Sequence, residues 1–529
     1  MTAFHGQQFI AGTRRGGTTT FAATGPADGA ELPGRFALAT PADAADAVCA
    51  AADAFPVFAA TTGAVRAALL EGIAEEILAL GDDLVARVRA ETALPEARVV
   101  GERGRTVGQL RLFAQLAREG TWCDARIDPA QPSRQPLPRA DIRRVKVPLG
   151  PVIVFGSSNF PLAFSVAGGD TASALATGNP VVVKAHRGHP GTSELVAGAV
   201  ERAVAKAGLP AGVFGMLHGA GATVGTALVE HPLAAAVGFT GSRAGGRALF
   251  DAAARRPFPI PVFAEMSSLN PVFLLPNALA ARAEAIATGF VGSMTLGVGQ
   301  FCTKPGLVVG VEGPDYAHFR GLLASAVAGA APGRMLTGEI LAAYRKGSGD
   351  LVGNGGTALL ATGAAGTRRD DAVALVATTT AAAFLGDARL GEEVFGPASL
   401  VVSAATPDGL LAVARHLDGQ LTATVHGTPA DLEQAAELLA ILATKAGRLI
   451  VNGYPTGVEV GHAMQHGGPW PATSDPRFTS VGAAALERFI RPVCYQDVPD
   501  GMLPAALQNA NPLGIVRLVD GQPSRGALA

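Results

Sequence analysis

The chain predicts an α/β protein built on a parallel, doubly wound sheet. Three observations carry that expectation. From Val147 to about residue 264, short β-branched runs alternate with longer stretches of helical periodicity, the rhythm of parallel strands joined by crossover helices. Glycine is abundant, at 67 of 529 residues, as a fold with many strand-to-helix turns requires. Hydrophobic residues make up 48% and charged residues 16%, so the chain can bury the cores of two or three domains.

The elements follow in order. Residues 6–40 are rich in Gly, Thr and Ala and read as short strands and turns. At Thr40-Pro41-Ala42-Asp43 a helix opens, with Pro just inside its start and an acid in its first turn. Helical periodicity then continues to about residue 119, and Cys49 on the first of these helices reads as core. Residues 124–141 carry Pro129, Pro132, Pro136 and Pro138, which break any helix. An alternating run from Arg139 to Val147 follows, so this part reads as an arm that leaves the globule and returns. Strands are expected at Val152–Phe155, Val181–Lys184, Val213–Leu217, Ala235–Phe239 and Pro261–Ala264. Helices are expected at 161–176, 191–207, 222–230 and 243–255. A second α/β unit runs from Pro271 to about residue 450, and the tail from Leu486 to Val498 reads as a strand.

Bulk properties narrow the function. The formal net charge is −2, which leaves no electrostatic footprint for nucleic acid or an anionic membrane. No aromatic-and-basic stripe offers a stacking surface. No apolar run reaches the roughly 18 residues of a membrane span, and Met1 to Gly6 show no leader-like pattern. Cys49, Cys123, Cys302 and Cys494 form no CxxC pair, so no metal site is expected. Scattered cysteines suit a reducing compartment. A soluble cytoplasmic protein with no nucleic-acid or membrane partner is the expectation.

In parallel sheets, ligands sit beyond the carboxyl ends of the strands, and the candidate residues cluster there. Phe239-Thr240-Gly241-Ser242-Arg243-Ala244-Gly245-Gly246 follows a strand and opens a helix, so its backbone N–H groups can face a pyrophosphate. Gly219-Ala220-Gly221-Ala222-Thr223-Val224-Gly225 misses the GxGxxG spacing by one residue and is set aside as a decoy. The stretch from Phe263 to Pro305 holds a carboxylate, Glu265, and a thiol, Cys302. Each is framed by small or turn-forming residues, as a base and a nucleophile would be. Asn159 precedes Pro161, where a helix N-cap is the plain reading.

Taken together, Asn159, Lys184, Glu265, Cys302 and the motif Gly391-Glu392-Glu393-Val394-Phe395-Gly396-Pro397 resemble the aldehyde dehydrogenase superfamily in order and spacing. The wording Glu265-Met266-Ser267-Ser268-Leu269-Asn270-Pro271 resembles the branch that oxidises α-ketoglutaric semialdehyde (2,5-dioxovalerate) and fatty aldehydes. The resemblance implies a Rossmann-like cofactor domain (1–125 and 147–264) and an α/β catalytic domain (265–449). It also implies a β-ribbon oligomerisation arm (126–146 and 486–500) and a loop-rich return (450–485). Cys302 would attack the aldehyde, Asn159 would hold the oxyanion, and Glu265, its pKa raised, would activate water. A positive field would lower the pKa of the thiol. Lys184, Arg187, Gly241, Ser242, Gly246, Glu393 and Phe395 would bind the cofactor. Arg187 stands where NAD-preferring relatives commonly carry an acid, which favours NADP over NAD. Phe160, Phe164, Phe290 and Trp470 are candidates for the substrate pocket. The expected substrate is a small aldehyde, most of all α-ketoglutaric semialdehyde, with a medium- or long-chain fatty aldehyde as the alternative. An acyl-phosphate or acyl-coenzyme A reductase conflicts with retention of Glu265. A catalytically silent binding or structural protein on the same scaffold conflicts with retention of both groups. A homodimer or homotetramer is expected by the same resemblance.

Overall fold

The computed structural model describes residues 4–528 except 27 and 369. Five parallel strands make up one sheet from its edge inward, in the order Val262–Glu265, Ala236–Thr240, Val152–Phe155, Val181–Lys184, Phe214–Leu217. Gln8–Ile10 and Thr13–Arg15 extend it antiparallel at one edge. The side chains alternate between two cores. Val152, Val154, Val181 and Val183 enter a helical core with Leu69, Leu70 and Phe113. Ile153, Phe155 and Val182 point the other way. A sheet buried on both faces needs apolar residues at successive positions, which is why these strands read as continuous Val/Ile runs.

A second sheet of seven strands has Pro271–Leu274 and Leu307–Val311 near its middle. It too is covered on both faces, with Phe273 and Val309 on one side and Val272 and Val308 on the other. The short link between Glu265 and Pro271 joins the sheets, so the carboxyl end of one meets the start of the other. The segment 472–474 then runs along the edge of Val262–Glu265: Met266 N–H donates to Ala472 O at 2.8 Å and Ser474 N–H to Ala264 O at 2.9 Å. That pairing brings the loop-rich 450–485 region back against the first sheet.

The first helix is Pro41–Ala59, with a capping box between Thr40 and Asp43. Cys49 corrects its expectation: it is exposed, because the buried stripe of its helix runs through Ala44, Ala47, Val48 and Ala51. The helix expected at 161–176 begins only at Gly169. Glu102, on the helix Glu96–Glu119, accepts the N–H groups of Leu162 and Ala163 at 2.9 and 3.0 Å. This sideways capture holds 160–168 as turns. In the arm, Ile142–Pro148 pairs antiparallel with Ile490–Gln496, which lies at the free edge of a five-stranded sheet. No helix among the described residues is long and apolar enough to cross a membrane.

Candidate active site

A cleft of about 730 Å³ opens beyond the carboxyl ends of the first sheet and against the second. Asn159, Lys184, Gly241, Ser242, Cys302, Glu393 and Phe395 all line it. A neighbouring hollow shares Lys184 and His186 and adds Arg187. The stretch set aside as a decoy is corrected here. Gly221 and Ala222 line the same cleft, on a π-helical turn from Gly221 to Gly225, so the late glycine serves a different turn rather than none.

Cys302 is carried on a loop whose backbone is forced into unusual shapes. Gly297, Val298 and Gly299 all have positive φ, at 57°, 59° and 66°. A Cβ on Gly299 would lie 2.3 Å from the carbonyl carbon of Gly396, so only glycine fits that approach. Val298 in the left-handed region is a strained position for a β-branched residue. Asn270 holds the loop from below, donating from Nδ2 to Cys302 O at 2.9 Å and to Lys304 O at 3.0 Å. Asn159 donates one amide hydrogen to Gln300 O at 3.0 Å. The second hydrogen has no acceptor among the described residues, and no hydrogen bond among them engages the Cys302 N–H.

The base is set at the end of its strand. Glu265 is 3% exposed, and its Oε1 lies 2.9 Å from His466 Nε2. Ser480 Oγ donates to Oε2 at 2.5 Å. His466 Nε2 is also 3.5 Å from Cys302 Sγ. The thiol, imidazole and carboxylate atoms all fall within 4.8 Å of one another. Sequence reading missed His466 and Ser480. Both sit in the 465–481 loop, which carries no motif, and they reach the site only because that loop packs on the 262–265 strand.

The electrostatics correct two expectations. Burial alone would raise the Glu265 pKa, but His466, Ser480 and the Cys302 thiol outweigh it and hold the carboxyl below its usual value. The Cys302 thiol is pushed well above its usual value by burial, by the charge and hydrogen bond of Glu265, and by Glu393. The resting pair is therefore a thiol beside a carboxylate. Glu393 is pushed up by burial against the pull of Lys304.

At the other end of the cleft, burial lowers Lys184 to about 8, with Arg187 adding to the effect. Its ammonium group donates to no acceptor among the described residues. Gly241 and Gly246 are tight: a Cβ would meet the Phe239 ring at 2.6 Å or Met266 Sδ at 2.6 Å. Ser242 caps the helix Arg243–Ala254 by accepting from Gly245 N–H. A bare backbone turn at a helix start, a free buried ammonium and an exposed guanidinium fit a dinucleotide's phosphates and riboses.

Of the pocket candidates, Phe160 and Phe164 stand together beside the reacting groups. Their centroids are 5.4 Å apart, with Phe301 5.3 Å from Phe160 and His466 6.4 Å from Phe164. Phe290 and Trp470 are corrections. Phe290 is 1% exposed and packs in the core of the second sheet, since its helix turns that face inward. Trp470 is 40% exposed and rests near Arg247, 5.7 Å away, outside the cleft.

A model of the aldehyde dehydrogenase family matches residues 13–470. The chain is 58% identical over 487 residues to α-ketoglutaric semialdehyde dehydrogenase 2 of Azospirillum brasilense, covering 92% of this chain and 93% of that one. It is 48% identical over 523 residues to α-ketoglutaric semialdehyde dehydrogenase of Acinetobacter baylyi, covering 98% and 99%. Among solved structures, a betaine aldehyde dehydrogenase of Staphylococcus aureus in complex with NAD⁺ superposes with a TM-score of 0.79 at 20% identity, over 93% of this chain and 97% of that one.

Proposed function

The chain belongs to the aldehyde dehydrogenase family, and from that premise we propose that it oxidises α-ketoglutaric semialdehyde to 2-oxoglutarate, with NADP preferred over NAD. It is an oxidoreductase acting on aldehydes, and its relatives use nicotinamide dinucleotides. The observation that carries the mechanism is the convergence of Cys302 Sγ, His466 Nε2 and the Glu265 carboxylate within 4.8 Å of one another, with Cys302 lining the cleft and Glu265 and His466 lining a small hollow of their own. The names of the two full-length relatives support the substrate.

Cys302 Sγ bonds to the aldehyde carbon as its proton is released to solvent, which leaves the Glu265 carboxylate ionised for the second half-reaction. The aldehyde oxygen becomes an oxyanion held by Asn159 Nδ2 and the Cys302 N–H, and losing one such donor typically costs about 10²–10³ in turnover. The dinucleotide, when bound, supplies the hydride acceptor, which turns the thiohemiacetal into a thioester. Glu393 and Phe395 would hold its reactive end, and Lys184 and Arg187 would hold the far ribose, with Arg187 suited to a 2′-phosphate. Glu265 then takes a proton from water, the oxygen attacks the thioester carbon, and Cys302 leaves. Ser480 fixes the carboxylate during that step, and His466 keeps it ionised.

The aromatic group of Phe160, Phe164 and Phe301 supports a medium- or long-chain aldehyde as the second reading. Steady-state assays with the semialdehyde and a long-chain aldehyde, each with NAD and NADP, separate the two. A higher kcat/KM for the semialdehyde with NADP is expected; preference for the alkyl aldehyde overturns the substrate. The free edge at Ile490–Gln496 supports a homodimer or homotetramer, since an unpaired edge strand is a template for pairing.

A further inference from the structure

We infer that Arg105 is the specificity-determining cation of this site, taking the carboxylate at the far end of the aldehyde substrate by a side-on, two-donor hydrogen bond. The inference rests on the reading that the substrate is an aldehyde with a distal carboxylate.

Arg98, Glu102 and Arg105 share one stripe of the helix Glu96–Glu119, because residues three, four and seven apart face the same way. Glu102 is fully engaged, and Arg98, whose side chain is partly exposed, reaches it through one nitrogen. Arg98 donates to Glu102 Oε2 at 2.6 Å. The other Glu102 oxygen is spent on the Leu162 and Ala163 N–H groups. That leaves Glu102 no oxygen for Arg105.

Arg105 lies with its guanidinium carbon 5.2 Å from the Phe164 ring and 5.6 Å from the Phe160 ring. Those rings wall the reacting groups, so the cation stands one side chain away from them. Burial pulls its pKa below the usual arginine value, and the ionisable groups around it are Cys302, Glu102, Arg98 and Glu265. Its Nε and Nη2 are both sealed from solvent and bonded to nothing among the described residues. Buried charged donors without acceptors are costly to a fold. These two nitrogens form the same edge of the guanidinium, the edge that matches the two oxygens of a carboxylate. The Phe160 and Phe164 rings, set at 66° to each other, flank the guanidinium without competing for its N–H groups.

Arg448 is a second half-buried arginine near Cys302. Its fork is already used: Nη1 donates to Gly457 O at 3.1 Å and Nη2 to Pro455 O at 2.8 Å. Among the described residues, Arg105 is therefore the cation beside these rings whose side-on edge is both sealed from solvent and unfilled. An anionic substrate threaded past Phe160 and Phe164, its aldehyde at Cys302, would fill it. An alkyl aldehyde would leave it empty.

The test compares kcat/KM for α-ketoglutaric semialdehyde with that for pentanal, which has the same chain length and no charge. It uses the full-length enzyme, Arg105→Met and Arg105→Lys. Substitution by Met is expected to lower the semialdehyde-to-pentanal ratio about 100-fold, the loss of a charge-assisted pair, with the change in KM rather than kcat. The Lys variant, which keeps the charge and loses the side-on pair, is expected to fall between. A wild-type enzyme that favours the semialdehyde, with a ratio that Arg105→Met leaves unchanged, overturns Arg105 and leaves the substrate standing. A wild-type enzyme that favours pentanal overturns the substrate and this inference together. Where the Met variant no longer binds NADP, the Lys variant decides, and an unchanged ratio there overturns the assignment.

Discussion

The two ends of the cleft are built on opposite plans. At the reacting end, the polar groups already have protein partners: Glu265 meets His466 and Ser480, Cys302 meets His466, and the thiol loop hangs from Asn270. At the dinucleotide end, the cations are left without them. Among the described residues, Lys184, 8% exposed, bonds to no acceptor, and Arg187 meets the Phe21 ring at 5.7 Å and no carboxylate. The contrast teaches a rule about sites. Groups that carry out chemistry are tuned by permanent neighbours, whereas groups that hold a ligand are kept unfilled at a cost in stability.

The largest test of that rule is Cys302→Ala. It should lower kcat/KM by at least about 10⁴-fold while leaving NADP binding, measured by fluorescence titration, within about threefold. A large loss of NADP affinity would mean that the two ends are not independent. Next comes Glu265→Gln. Steady-state turnover should fall about 10³-fold, within the range for a positioned base. A pre-steady-state burst of reduced cofactor should survive, because thioester formation precedes the water step. A lost burst would assign Glu265 to the first half-reaction instead.

The two plans also differ in how well the sequence shows them. The dinucleotide end is local. A strand, a glycine turn and a helix follow one another at Ala236–Thr240 and Arg243–Ala254, so the turn shows in the pattern, and the family resemblance picks out Gly241, Ser242 and Gly246 within it. Lys184 is marked by ending a run of valines. The two reacting groups are legible for the same reason, since Glu265 ends a strand and Cys302 sits between Gly299 and Pro305. Their tuning is not. His466 and Ser480 come from a loop with no periodicity, and their placement depends on the pairing of 472–474 with the strand edge. Burial of Glu265 could be expected from sequence, but not the imidazole beside it, so the direction of its pKa shift came out reversed. Phe290 and Trp470 failed for a related cause. An aromatic residue near a site in sequence can face a core or the outside, and only the packing of its element decides which.

Arg187 sharpens the dinucleotide half of the comparison. Replacing it with Ala should raise the KM for NADP about 30-fold and leave that for NAD nearly unchanged, in keeping with about 2 kcal/mol for a charge-assisted contact to phosphate. Equal effects on both cofactors would mean that Arg187 acts on the shared part of the molecule. The neighbouring Lys184→Met should weaken NAD and NADP alike.

The smallest expected effect probes the reacting end without any substrate. In the cofactor-free enzyme the thiol is held protonated by burial and by the carboxylate of Glu265. Its alkylation by iodoacetamide, followed by peptide mass mapping, should therefore be slow at pH 8 and still rising above pH 9, because only the thiolate reacts. The exposed Cys49 and Cys494 provide the internal comparison. Glu265→Gln removes a negative charge and an acceptor while leaving burial in place, so the thiol pKa should fall, and one unit would speed alkylation at pH 8 about tenfold. A rate that Glu265→Gln leaves unchanged would show that burial alone keeps the thiol protonated. The reacting end would then be no more tuned by its neighbours than the dinucleotide end, and the contrast between them would reduce to one of burial.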